Sequence, residues 1–238
     1  MSTIPCYPTP LEGQLLNRTE GCNYPMVDIE WLGHSCFLVI GSRVRVVVDP
    51  FSSAANITYP RVKTVADLVL ITHEHFDHNN ASGVAGNPVV ARGPGEWESP
   101  IPVKGLAASH GKGRGTTAAY VFRVDDLSFC HLGDLGEIPD SKLLKEIGSV
   151  DVLMIPVGGV YTIDHNGADE VLKLLKPKIA LPMHYKTEFV GLSLDPVSKF
   201  TQGKTNVRLE KSNRIVVDKS SLPKSTTIVV LAPPGPKV

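Results

Sequence analysis

From Asp28 onward the chain is a succession of short apolar runs: "IEWLG", "CFLVI", "VRVVVDP", "ADLVLITH", "NPVVA", "AAYVFRV", "LSFCHLGD", "VDVLMIPV", "KIALPMHY", "RIVVD" and "TTIVVLAP". Their length and β-branched content predict strands. Two segments, "PDSKLLKEIG" and "NGADEVLKLLKP", instead open on a polar cap and end at Gly or Pro, which predicts helices. A third helix is expected to begin near Asp77. Many strands with few helices between them suggest an α/β sandwich, two sheets packed together with helices outside. Residues 1–26, rich in Pro and turn formers and without period, read as an arm that is extended over the domain or partly disordered. Residues 27–238 read as a single domain, with no linker and no internal repeat.

Composition adds bounds. At 238 residues and 42% hydrophobic, the chain can bury a sizeable core. Lys+Arg and Asp+Glu stand at 24 each, so no net field draws a polyanion, which argues against long nucleic acid as a partner. Cys6, Cys22, Cys36 and Cys130 lack CxxC spacing and fit reduced thiols in a cytoplasmic protein. The amino terminus has no signal-peptide pattern and no run reaches membrane-spanning length, so no membrane insertion is expected. Asn17-Arg18-Thr19 then reads as an accidental sequon.

The chemistry concentrates in "LVLITHEHFDHNNASG", residues 68–83, where His73, His75, Asp77 and His78 follow an apolar run. His73 and His75 are two apart, so in extended backbone both imidazoles project to one side and can share an ion. Asp77 and His78 come at a turn and could face a second ion. His110, Asp134, His184 and Asp49 also stand just beyond predicted strands, where open α/β sheets place their sites. A lone histidine is most often packed or solvated; four metal-capable groups at H-x-H-x-D-H spacing are far harder to obtain by accident. His131 is the clearest negative, since strand alternation turns it away from the face of Asp134.

These residues resemble the metallo-β-lactamase superfamily, whose signature is H-x-H-x-D-H followed by a distant His, an Asp and a final His. The resemblance implies a four-layered αββα sandwich. It implies that His73, His75 and His110 hold one metal, that Asp77, His78 and His184 hold a second, and that Asp134 bridges them. "WLGHSCFLV", "VVVDPFSS", "CHLGDLG", "MIPVGGVYTID" and "PMHYKT" are similar to the branch of small hydrolases that includes ascorbate-6-phosphate lactonase-type proteins and, more distantly, phospholipid-hydrolysing phosphodiesterases. One departure is Gly111, where many relatives carry Asp after the third histidine.

The expected activity is therefore that of a dinuclear metal-dependent hydrolase acting on a small substrate, a lactone or phosphoester. The metals are two divalent ions, zinc with manganese or iron possible, and a hydroxide held between them attacks the ester-like bond. Asp77 could orient that hydroxide and take its proton. Asp49 is either the acceptor of a ligand histidine's far N–H or part of a strand-end turn. His34 either lines the cleft or is a hydrogen-bonded structural residue. Lys112 and Arg114 in a Gly-rich loop could bind phosphate or carboxylate, and Tyr161 could donate to an oxyanion; Tyr161 is a stronger candidate than Lys112. The alternative is a phosphodiesterase acting on a nucleotide or phospholipid-type substrate. A di-iron oxidoreductase is disfavoured because His75 stands where that branch carries a carboxylate, and a non-catalytic metal scaffold because the ligand set is complete.

Overall fold

A computed structural model describes residues 25–53 and 56–235; the Pro-rich segment up to residue 24, with Cys6, Cys22 and the Asn17 triplet, lies outside the described residues. Strands form where the apolar runs fall. The first five are β1 (Val27–Gly33), β2 (Cys36–Ile40), β3 (Arg45–Val48), β4 (Leu68–Ile71) and β5 (Val89–Arg92). Next come β6 (Gly95–Glu96), β7 (Val103–Ser109), β8 (Thr116–Val124) and β9 (Leu127–His131). After α1 (Ser141–Ile147) come β10 (Val152–Pro156), α2 (His165–Leu175), β11 (Ile179–Met183) and α3 (Val197–Thr201). The last strands are β12 (Val207–Leu209), β13 (Arg214–Val217) and β14 (Thr227–Val230).

They build a six-stranded sheet ordered β13-β1-β2-β3-β4-β5 and an eight-stranded sheet ordered β12-β14-β11-β10-β9-β8-β7-β6. Burial explains the two kinds of apolar run. β4, β10 and β11 are buried at every position, as inner parallel strands covered on both faces must be. β1 alternates buried with half-buried residues, the signature of a strand with one covered face. Side chains from both sheets, including Trp31, Phe37, Phe122 and Phe129, join one core. This is the two-sheet α/β sandwich expected from the sequence.

The helices also follow their caps. Asp140 accepts from the backbone N–H of Leu143 at the start of α1, and Asp164 from that of Gly167 at the start of α2. All three described α-helices lie in connections of the eight-stranded sheet. The helix expected near Asp77 is absent. His78 N–H closes a turn on His75 O, and only a 3-10 turn follows at Ala81–Gly83. Asn80 bonds outward instead of along the loop, donating its N–H to Pro50 O and its side-chain amide to Phe51 O. The loop is thereby tied to the end of β3.

Strand direction positions the chemistry. β3, β4 and β5 are mutually parallel, and β9, β10 and β11 are too. β7 and β9 both run antiparallel to β8, hence in the same direction as each other. Asp49, His73, His110, Asp134 and His184 thus all follow carboxyl ends of strands, β3, β4, β7, β9 and β11 in turn. Two glycines let the loops beyond those ends approach each other. A Cβ at Gly158 would meet the carbonyl oxygen of His184 at 2.0 Å, and one at Gly136 would meet Gly111 N and the carbonyl of His110 at 2.4 Å. The neighbour is backbone in each case and has no rotamer by which to retreat. Gly158→Ala is expected to destabilise the fold by roughly 1–3 kcal/mol, the usual range for overpacking. Chemical denaturation checks this, and an unchanged midpoint would show that the loop yields freely.

Candidate metal centre

The site begins with unusual backbone. Five non-glycine residues have positive φ among those described, and three of them, His34, Asp49 and His184, gather here. Left-handed backbone is costly for residues with a Cβ and tends to persist where surrounding contacts over-determine it. His34 sits in the tight turn between β1 and β2, and its carbonyl accepts from His184 N at 3.2 Å. That bond ties the first sheet's turn to the end of β11.

Asp134 is the hub. It is buried, with Oδ2 lying 3.7 Å from His73 Nε2, 3.6 Å from His110 Nε2 and 3.5 Å from His184 Nε2, and Oδ1 3.3 Å from His78 Nε2. Around it the donor atoms form two groups, each within 4.8 Å: His73, His75, His110 and Asp134 in one, and His34, Asp77, His78 and His184 in the other. In the first group His75 Nδ1 lies 3.0 Å from His73 Nε2 and 3.3 Å from His110 Nε2. In the second His34 Nε2 lies 3.2 Å from Asp77 Oδ2.

A further ring of bonds holds these groups. Buried Asp49 accepts from Thr72 N at 2.8 Å, from Thr72 Oγ1 at 2.7 Å and from His78 Nδ1 at 2.8 Å. Donation through Nδ1 leaves the Nε2 of His78 facing the hub, and a carboxylate so placed fixes the orientation of the ring. Thr72 Oγ1 also lies 3.0 Å from His73 Nδ1.

The electrostatics divide the histidines. Burial, with the charge of His78 beside it, pushes His73 down to about 3, and burial likewise takes His184 down to about 4, so both are neutral at pH 7. Burial also opposes charge on His78, but Asp134 and Asp49 override it and raise its pKa well above the ordinary value. The carboxylates answer in kind. Burial would raise Asp134 and Asp77, yet the surrounding imidazoles hold both below the usual carboxylate range.

This set fits divalent metal. The donors are nitrogen and oxygen, the choice of zinc, manganese or iron sites, and they are more numerous than a closed structural zinc requires. His78 Nε2 and Asp134 Oδ1 are buried and lie 3.3 Å apart, and neither makes a well-formed hydrogen bond. Buried polar atoms without a hydrogen bond cost stability unless something else coordinates them. Binding a metal through Nε2 requires His78 to be deprotonated there. Loading metal-free protein is therefore expected to release protons, that of His78 among them. Calorimetry in buffers of different ionisation enthalpy reads the release, and none at neutral pH would contradict the raised pKa of His78.

All seven residues of the H-x-H-x-D-H, His110, Asp134 and His184 pattern converge, and Asp49 joins them. His34 stands closer than expected, within the donor group of Asp77. Arg114 and Tyr161 lie beside the centre, in a cleft of about 270 Å³ that is also lined by His75, Asp77, Asp134 and His184. Lys112 is not among the lining residues. Asn56, Phe76 and Leu192 are, and the sequence marked none of them. Phe76, between two ligand-type residues in the motif, carried a signal in being an apolar side chain at a turn; it is 49% exposed. Glu74 faces elsewhere and pairs with Arg92 at 2.9 Å. His131 bonds Ser35 O through Nε2, away from the centre.

Residues 28–184 match the model of the beta-lactamase superfamily domain. A UPF0173 metal-dependent hydrolase of Thermoplasma acidophilum is 35% identical over 200 residues, 71% of this chain and 87% of its own. Its counterpart in Thermoplasma volcanium is 31% identical over 201 residues, 72% of this chain and 88% of its own. A crystal structure from the same superfamily in Thermotoga maritima superposes with a TM-score of 0.73 at 34% identity, covering 86% of this chain and 98% of that one. Among the described residues no helix is long and apolar enough to cross a membrane. With the fold, the converging donors and these relatives in agreement, the chain belongs to the metallo-β-lactamase superfamily and is one of its metal-dependent hydrolases.

Proposed function

We propose that the centre is dinuclear and that it hydrolyses a small ester-like substrate, a lactone or a phosphoester. His73, His75 and His110 would hold one ion, Asp77, His78 and His184 the other, with Asp134 shared and zinc the first candidate metal. The observation that carries this reading is Asp134, whose two oxygens lie against histidines of both groups within 3.3–3.7 Å. When bound, such ions lower the pKa of water toward ~7 and polarise the bond under attack.

The chain's own residues do the rest. Asp77 is anchored through Oδ2 by the imidazole of His34 and held ionised, so it suits orienting the attacking water better than storing its proton. Asp49 keeps His78 in one tautomer. The exposed side chain of His75 leaves its group reachable from the cleft, while buried His73, His78 and His184 exclude water from the other side. A cleft of about 270 Å³ admits a small molecule or one end of a larger one.

The test is a panel of lactones, phosphodiesters and phosphomonoesters offered to metal-loaded protein, with His75→Ala alongside. Turnover of a lactone or phosphoester that falls at least tenfold in His75→Ala supports the reading; a smaller effect than the ~10-fold seen even for outer contacts would count against it. Loaded protein that turns over neither class refutes the proposed substrates.

A further inference from the structure

We propose that Arg114 is a receptor for a second anionic group on the substrate, a carboxylate or phosphate separate from the bond that is cleaved. This rests on the hydrolytic reading of the cleft and names the substrate class it takes.

Arg114 stands on a short closed turn that begins at a residue of the centre. His110 N–H donates to Gly115 O at 3.0 Å and Arg114 N–H to Gly111 O at 3.1 Å, so the loop folds back on itself. Gly111, Gly113 and Gly115 all have positive φ, which a chain with side chains at those positions would resist. The turn brings Arg114 into the lining of the cleft while its neighbour Lys112 stays outside it. The guanidinium carbon lies 4.4 Å from the centroid of the Tyr161 ring, which comes from the loop after β10. A cation held over a ring is attracted by the ring's π face and not through a hydrogen bond to an acceptor, so this contact does not require the guanidinium N–H donors.

Those donors have no carboxylate partner among the described residues. The other lining charges, Asp77 and Asp134, belong to the donor groups of the centre. Arg114 is therefore the one lining charge not engaged there, held in place by contact that does not consume its hydrogen bonds. Phe76 and Leu192 complete the lining with apolar surface. A substrate with an acidic group, a short apolar stretch and an ester-like bond matches this set of surfaces.

The probes are straight-chain dicarboxylates of four to six carbons and monocarboxylates of equal length, titrated into zinc-loaded protein by calorimetry. Both series can reach the metals; only the first can also reach Arg114. The expected preference for the best dicarboxylate over its monocarboxylate partner is about tenfold or more, as for a charge-assisted hydrogen bond. Arg114→Ala should reduce it to less than about threefold, and Lys112→Ala, which removes an equal charge from the same loop, should leave it in place. Replacing the second carboxylate by a phosphonate tells which anion is preferred. A wild-type preference near unity, a preference that survives Arg114→Ala, or an equal loss in Lys112→Ala overturns the proposal. Turnover is scored separately, so a chain that keeps the Arg114-dependent preference but cleaves no lactone or phosphoester refutes the hydrolytic reading alone.

Discussion

Asp134→Asn is expected to cut turnover by more than about 100-fold and to lower bound metal from about two ions per chain to below one. Outer contacts of a metal site already cost 10–100-fold when lost, and Asp134 belongs to one donor group and lies against His78 and His184 of the other. The amide keeps the shape of the side chain, so packing around this 2%-exposed position is preserved. What it loses is the negative charge that faces four imidazoles at 3.3–3.7 Å, and one of its acceptor atoms becomes a donor. Mass-spectrometric metal analysis beside steady-state kinetics checks this. Full metal content with native turnover would remove Asp134 from the centre.

The second large effect is expected at Asp49, which touches no cleft surface. Its fully buried carboxylate accepts three bonds, from Thr72 N, Thr72 Oγ1 and His78 Nδ1, at 2.7–2.8 Å. Asp49→Ala strands all three donors, one of them an imidazole whose charge the carboxylate supports. Breaking a buried charged pair from one side costs about 3–5 kcal/mol. Loss of orientation at His78 adds a 10–100-fold fall in metal affinity.

The pH dependence has a definite sign. Burial opposes the charge on Asp49, but His78 overrides it and the folded pKa lies below the ordinary value. A depressed carboxylate stabilises fully above its unfolded pKa, about 3.9, and loses that contribution as pH falls through the folded value. The gap in stability between metal-free wild type and Asp49→Ala should thus be widest near neutrality and narrow below pH of about 4. Urea denaturation of the two proteins at several pH values measures it. A gap that is small at pH 7, or that widens on acidification, would contradict the role given to Asp49.

Much of this architecture is legible in the sequence because inner strands of stacked sheets must be apolar throughout. Runs such as "LVLI", "VLMIP" and "IALPM" therefore announce themselves, and polar, metal-capable residues immediately after them stand out. The H-x-H-x-D-H spacing added the grouping, since two-residue alternation and a turn separate the first pair from the second. Short elements were less visible. β6, β12 and α3, of two, three and five residues, are held by their neighbours and carry no periodic signal of their own. The helix expected near Asp77 failed because the side chain and backbone of Asn80 bond to the 50–51 segment, a tertiary contact no local pattern reports.

The same limit applies within the site. The donors were readable because few residue types bind metal, whereas cleft walls can be made from almost any side chain. Asn56 and Leu192 enter from distant loops, tied together by the bond from Gly191 N to Asn56 O at 2.8 Å. His34 had a signal in its place between two strands, but its proximity to Asp77 depends on a left-handed turn.

The most direct test of the proposed dinuclear centre is anomalous diffraction at the zinc edge from crystals of zinc-loaded protein. The expected result is two peaks about 3.5–4 Å apart, the usual two-metal spacing. One peak should be bounded by His73, His75 and His110, the other by Asp77, His78 and His184, with Asp134 reaching both. A single peak, or peaks away from Asp134, would contradict the account.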